Sequence, residues 1–265
     1  MNVIINPEYA YLRDWIEKIP FFFDKEGTVI YDKKNIVKVF SYGNGLFINV
    51  KRFRKPRLFN RIMYTCFRKS KARRSYYNTL QISGKGFDTA ESVACIEIKE
   101  GRWFSDSYYI SLHCQQVWEI RDYYFGPLAG NENLIDAFAR YSAALHDAGI
   151  YHLDYSPGNI LIRYDSASGK YTFIPVDVNR MKFMSVSPDK GCENFARLFD
   201  NDDIYTRIGI VYSQSRGKVF SEEEAVRLIL KYKNRFSKKK ALKEALKRVS
   251  ILILKWLGIN IRRKK

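Results

Sequence analysis

His152-Leu153-Asp154-Tyr155-Ser156-Pro157-Gly158-Asn159 is the stretch that decides how the rest of the chain reads. Pro157-Gly158 is a tight turn, and it brings the carboxylate of Asp154 back toward the amide of Asn159. Immediately behind it, Ile160-Leu161-Ile162 opens an apolar strand, and Tyr171–Val176 supplies a second. Asp177 closes that strand pair, 18 residues after Asn159. Far upstream, Phe47-Ile48-Asn49-Val50-Lys51 is an apolar strand that ends in a lysine.

The spacing matches the kinase catalytic loop, H-x-D-x-x-x-x-N. In that pattern Asp154 accepts or orients the proton of an acceptor hydroxyl, and Asn159 offers an amide oxygen to magnesium. A carboxylate and an amide suit a hard cation that prefers oxygen. Val176-Asp177-Val178-Asn179 fits the magnesium-binding aspartate after the next strand, as D-V-N in place of D-F-G. Lys51 fits the strand lysine that holds nucleotide phosphates. Taken singly, each has an ordinary structural reading: Asp154 and Asn159 as turn residues, His152 as a histidine bonding backbone, Lys51 as one of many solvated lysines. The order and context of all three elements favour an active site.

Working outward, Pro7–Lys18 reads as a short amphipathic helix. Strands are expected at Thr28–Tyr31, Ile36–Tyr42 and Leu46–Phe53, with turns at Asp32–Asn35 and Gly43–Gly45. Ser70–Ile82 reads as a helix, followed by strands at Ser92–Lys99 and Tyr108–His113. A hinge-like stretch near 115–130 leads into a helix over Asn133–Ala148. After Asp177, two closing helices are expected, one over Ser221–Arg235 and one over Lys238–Leu257. Strands plus one helix, then a mostly helical half, give an α+β chain. The expected fold is two-lobed and protein-kinase-like, with a small β-rich N-lobe and a larger helical C-lobe. The divisions are 1–116, 117–237 and a basic tail at 238–265.

The chain has 265 residues and a formal charge of +18, which points to an anionic partner. From Lys231 to Lys265 there are fourteen Lys or Arg against one acid, Glu244, and from Lys51 to Arg74 eleven against none. Ala241, Leu242, Leu246, Val249, Ile253, Leu254 and Leu257 share one face of the terminal segment, ringed by basic residues. With Trp256, this reads as an interfacial anchor on an anionic membrane surface. The bland alternative is an ordinary closing helix with a solvated face. No nucleic-acid motif accompanies the charge, and nucleic acid is not expected as a partner. Four cysteines stand apart without a CxxC pair, and with three histidines a zinc site is not expected. Met1–Pro20 is interrupted by charges and no apolar run reaches the roughly 20 residues of a spanning helix. The expected location is cytoplasmic, peripheral on the inner face of the inner membrane.

Val50-Lys51-Arg52-Phe53-Arg54-Lys55-Pro56, Phe67-Arg68-Lys69-Ser70-Lys71-Ala72-Arg73-Arg74-Ser75-Tyr76, His152–Ile162 and Asp177-Val178-Asn179-Arg180 together resemble the lipopolysaccharide core kinases. That is the Kdo and heptose kinase family, and the Kdo kinase branch of Bacteroidetes is the nearest in kind, over residues 20–235. The resemblance implies ATP, Mg2+ and transfer of the γ-phosphate to a sugar hydroxyl of the inner core, with Kdo–lipid A as the glycolipid substrate. It implies Asp154 as the base, Lys51 on phosphates, and Asn159 and Asp177 on magnesium. The chain departs from the family's pattern in three ways. The helix glutamate that would pair with Lys51 is replaced by Tyr77, so Lys51 either lacks an ion-pair partner and is held by phosphate alone, or borrows Glu91 or Glu97. No G-x-G-x-x-G is present, so Lys33, Lys34 and Asn35 of the 32–35 turn are the expected phosphate contacts. Ser156 stands where protein kinases carry lysine, and no A-P-E follows Asp177. The other readings are an atypical protein kinase, another small-molecule kinase, and a nucleotide-binding pseudokinase.

Overall fold

The computed structural model describes residues 1–256 except Asn44, and the side chains of Asn60 and of 252–256 are not described. Leu257 and Arg262–Lys265, part of the expected tail, lie outside the described residues. The chain gathers into two compact units. One holds Met1–Ile120, Ala148–Asp154 and Gly158–Met184, and the other Arg121–Asp147, Tyr155–Pro157 and Ser185–Lys265.

The first unit is built on a six-stranded antiparallel sheet. Its strands are β1 (Asn2–Ile5), β2 (Thr28–Asp32), β3 (Asn35–Tyr42), β4 (Leu46–Phe53), β5 (Ser92–Glu100) and β6 (Trp103–Leu112). They lie in the order β1-β5-β6-β4-β3-β2. Period-two patterning sorts β4 cleanly: Ile48 and Val50 join the core with Leu12, Ile16, Ile19 and Phe23, while Phe53 joins Ala72 and Tyr76 on the other face. Helix α1 (Arg13–Phe22) follows a 3-10 turn over Pro7–Leu12 and covers the first face. Helix α3 (Lys71–Ser83) covers the second, capped by Ser70, whose side chain accepts the Arg73 N–H at 3.1 Å.

Three features around this sheet were not read from the sequence, and beyond it the strands at 118–119, 150–152 and 181–183 and the helices at Pro188–Asn194 and Asp202–Ser215 were missed as well. β1 pairs with β5 from Asn2 opposite Glu97 to Ile5 opposite Ala94. β6 begins at Trp103, five residues earlier than expected, because Gly101 at φ +59 lets Glu100 pair with Trp103 across a two-residue hairpin. A further helix, α2 (Leu58–Cys66), fills the segment between β4 and α3.

The remainder of this unit is two small sheets. β7 (Trp118–Glu119) pairs with β9 (Ile160–Asp165), which pairs with β10 (Lys170–Pro175). β8 (Ile150–His152) pairs with β11 (Met181–Phe183), setting His152 opposite Met181.

The second unit is helical: α4 (Glu132–Asp147), α5 (Pro188–Asn194), α6 (Asp202–Ser215) and α7 (Glu222–Trp256). Tyr155 stacks on Phe138 at 5.9 Å and gives its core an aromatic centre with Phe195 and Phe199. Gly209 lets α6 approach α7, since a Cβ there would meet Val226 Cγ2 at 2.7 Å. The two expected closing helices are one, because Arg235–Lys240 contains no glycine or proline to stop α7. From Ser237 to Ser250 every residue of α7 is exposed.

Candidate active site

Lys51 lies on β4 opposite Val37, on the face covered by α3. Its Nζ sits 5.2 Å from the Phe53 ring centroid and donates to Asp177 Oδ1 at 2.5 Å. Asp177 follows β10 and takes up φ +54, ψ +39, a left-handed conformation uncommon for a residue with a side chain. Its neighbours hold it there. The Val176 N–H donates to the Asn159 carbonyl at 2.9 Å, and Asn78 of α3 donates through Nδ2 to the Val178 carbonyl at 2.7 Å. Asn179 Nδ2 also donates to Asp177 Oδ1, at 2.5 Å. Burial pushes the Asp177 carboxyl upward, but the Lys51 charge and hydrogen bond, joined by Asn179, outweigh it and leave it below the ordinary carboxylate range.

The catalytic-loop segment is tied to the same strands. His152 is fully buried. Its Nδ1 accepts the Asp154 N–H at 3.0 Å, which puts the proton on Nε2, and that N–H donates to the Val176 carbonyl at 3.1 Å. Asn159 Nδ2 donates to the Asp154 carbonyl at 2.9 Å and closes the turn. Leu153 N–H donates to the Arg180 carbonyl at 2.9 Å, and the Arg180 guanidinium stands 3.7 Å from Asp154 Oδ2. One connected set of bonds therefore joins Lys51, Asp177, Asn159, His152 and the backbone of Asp154.

The expected stand-ins for the helix glutamate are not brought to Lys51. Glu97 faces Arg73 at 3.9 Å, and Glu91 bonds the Tyr9 hydroxyl. Among the described residues the carboxylate that reaches Lys51 is Asp177. Tyr77 lies among cations, its ring 5.0 Å from Lys69 Nζ and 6.0 Å from the Arg73 guanidinium. The contacts of Tyr77 are with these cations, and its aromatic face suits them.

Of the 32–35 turn, Lys34 and Asn35 line a cavity of about 270 Å³ with Arg54, Lys55 and Lys71. Lys33 is exposed, and its N–H donates to the Asn35 carbonyl at 3.3 Å. Lys71 was not singled out from sequence. Burial lowers its ammonium, opposed by Asp177 and reinforced by Arg74, Lys51 and Arg180, so it lies in the field of the same site. Asn78, Asn179 and Arg180 were likewise not assigned roles. The helical phase of Asn78, three residues after Ser75 and two after buried Tyr76, carries no signal that it would reach across to Val178.

Asp177 and Asn159 offer oxygen donors that suit magnesium, which takes one or two protein carboxylates and fills its other positions with water and phosphate. Among the described residues no three His, Cys, Asp or Glu gather as a metal cage, and a cation shared with phosphates is what this donor set fits. Lys51 and the basic cavity suit the phosphates themselves.

No family model matches the chain, and no curated protein does. Among solved structures it is similar to WaaP in complex with acyl carrier protein, at a TM-score of 0.61 and 17% identity, covering 90% of this chain and 99% of that one. At that identity the likeness concerns architecture, and it agrees with the sheet and helices described: the chain has a kinase-like α+β fold.

Proposed function

We propose that the protein is an ATP- and magnesium-dependent sugar kinase of lipopolysaccharide biosynthesis, acting on a hydroxyl of an inner-core sugar, with Kdo on Kdo–lipid A as acceptor. The observation that carries this is the Lys51–Asp177 pair at 2.5 Å, bonded through Val176 and Asn159 to the loop that holds Asp154. Its likeness in fold to WaaP agrees with a kinase-like architecture, and the acceptor class rests on the resemblance of its motifs to the lipopolysaccharide core kinases.

Asp154 receives the proton of the acceptor hydroxyl as its oxygen bonds to phosphorus and the bond to the ADP oxygen breaks. His152 sets the position of Asp154 through the Asp154 backbone N–H. Lys51 holds phosphate oxygens, and Asp177 and Asn159 hold magnesium. That ion, when bound, neutralises charge gathering on the phosphates. The depressed carboxyl of Asp177 keeps it ionised and ready as a cation ligand at neutral pH. Lys34, Asn35 and, less directly, Lys33 contribute phosphate contacts from the β2–β3 turn.

The absence of A-P-E favours a glycolipid acceptor over a protein, and α7 supplies a means of reaching one. Leu242, Leu246 and Val249 are all exposed on it, among basic residues, which suits an anionic membrane surface at the inner face of the inner membrane. No helix among the described residues is long and apolar enough to cross a membrane. Incubation with ATP, magnesium and Kdo–lipid A, followed by mass spectrometry, should show the glycolipid gaining one phosphate. Phosphorylation of a heptosylated core but not of Kdo–lipid A would move the acceptor within the class. No phosphorylated glycolipid of any core length would reject the assignment.

A further inference from the structure

Helix α2 is turned the wrong way round for a solvated surface helix. Its inner side carries polar groups: Arg61 Nε donates to the Phe104 carbonyl at 2.9 Å, and Thr65 Oγ1 accepts the Phe104 N–H at 2.9 Å. Its outer side carries Leu58, Phe59 and Ile62, exposed by 77%, 74% and 41%, and Phe67 just beyond the helix is exposed by 77%. A helix on a globular protein ordinarily buries such a stripe. A contiguous exposed one marks a surface that meets something apolar.

The rim says what that is. Arg54, Lys55, Arg57, Arg68 and Lys69 flank the ridge and are exposed. No Asp or Glu occurs between Lys51 and Phe87. Glu100 is an acid that the fold brings up to this surface, and Lys55 and Arg61 engage it at 2.6 and 3.4 Å. Large apolar side chains ringed by cations match the boundary between acyl chains and anionic headgroups.

We propose that α2 docks on the surface of an anionic bilayer, its ridge entering the headgroup region and its basic rim meeting the anionic headgroups. This is a second membrane contact, separate from α7 and on the same compact unit as Lys51 and Asp177. It holds whether or not the acceptor is Kdo, since nothing in it depends on phosphoryl transfer.

The test is sedimentation of the full chain with vesicles of phosphatidylcholine alone and of phosphatidylcholine mixed with phosphatidylglycerol. The wild type binds the anionic vesicles. Leu58→Ser/Phe59→Ser/Phe67→Ser lowers that affinity at least tenfold, about 1.4 kcal/mol, with an unchanged melting temperature because the three side chains are exposed. Lys239→Glu/Lys240→Glu/Lys243→Glu, which alters α7, leaves the ridge-dependent part in place. In Phe59→Trp, indole emission shifts to the blue on anionic vesicles and is quenched by brominated lipid. Wild-type vesicle binding by the triple variant, or an indole that stays in water, overturns the proposal. So does a lipid-free dimer that the triple variant dissociates, which would show the ridge covered by a second copy.

Discussion

Lys38 and Lys51 stand on neighbouring strands, on opposite faces of one sheet, and both are largely buried. Lys38 faces the α1 side. Its Nζ donates to the carbonyls of Phe23 at 2.5 Å, Asp24 at 3.4 Å and Glu26 at 2.8 Å, in the turn that follows α1. Its partners come from 12 to 15 residues away and are neutral oxygens that any folded copy of the chain presents. Lys51 faces the α3 side, and its partner is a carboxylate 126 residues away, held in a left-handed conformation by three other bonds. A lysine that ties down such a turn spends its donors on structure. A lysine paired with one strained acid holds a charge where a ligand can compete for it.

That contrast can be broken most severely at Lys51. Lys51→Met is expected to lower turnover by about 10²–10³-fold, the loss typical of removing one group that stabilises transition-state charge. The fold should survive. Steady-state phosphorylation alongside a thermal melt measures both, and near-normal turnover in a folded variant would put Lys51 in the class of Lys38.

Lys38→Met should do the converse. Three carbonyls in the turn after α1 would lose their donor, at a cost of about 2–4 kcal/mol of stability. Turnover per folded molecule should stay within about twofold, the range of a change remote from the site. Denaturant unfolding at neutral pH gives the first quantity, and activity corrected for folded fraction the second.

A smaller effect lies in pH. The folded-state pKa of Asp177 is depressed, so its pairing contributes stability above the ordinary carboxylate pKa and loses it as pH falls through the folded value. The stability difference between wild type and Lys51→Met should therefore be largest at neutral pH, about 1–2 kcal/mol for a partly exposed pair. It should shrink below about pH 4. A difference that grew on acidification would mean that Asp177 is not ionised by Lys51. Smallest of all, Glu97→Gln should change turnover by less than about twofold, because that carboxylate faces Arg73 and Lys51 is served by Asp177. A tenfold loss would restore Glu97 as the partner.

The comparison also shows what the sequence could reveal. The placement of Lys51 on a strand was legible from the alternation through Leu46–Phe53, and that of Asp154, Asn159 and Asp177 from the turn and two strands that fix their spacing. Lys38 sits in an equally plain strand, but nothing local shows that α1 would end beneath it. The partner of Lys51 was misjudged for a related reason. Glu91 and Glu97 are nearer in sequence, whereas the left-handed turn at Asp177 that aims its carboxylate depends on Asn78, Asn159 and Asn179 acting together. α2 escaped notice because its apolar residues read as an unremarkable run between two basic stretches, and only the placement of Arg61 and Thr65 against Phe104 shows which side faces out.

The central claim is that Asp154 serves the acceptor while Lys51 and Asp177 serve the nucleotide. It is tested most directly by measuring magnesium–ATP affinity and glycolipid phosphorylation on one preparation of Asp154→Asn. The account predicts nucleotide affinity within about twofold of wild type and turnover lower by about 10²–10⁴-fold, the contribution of a positioned general base. Loss of nucleotide affinity in step with turnover, or unchanged turnover, would contradict it.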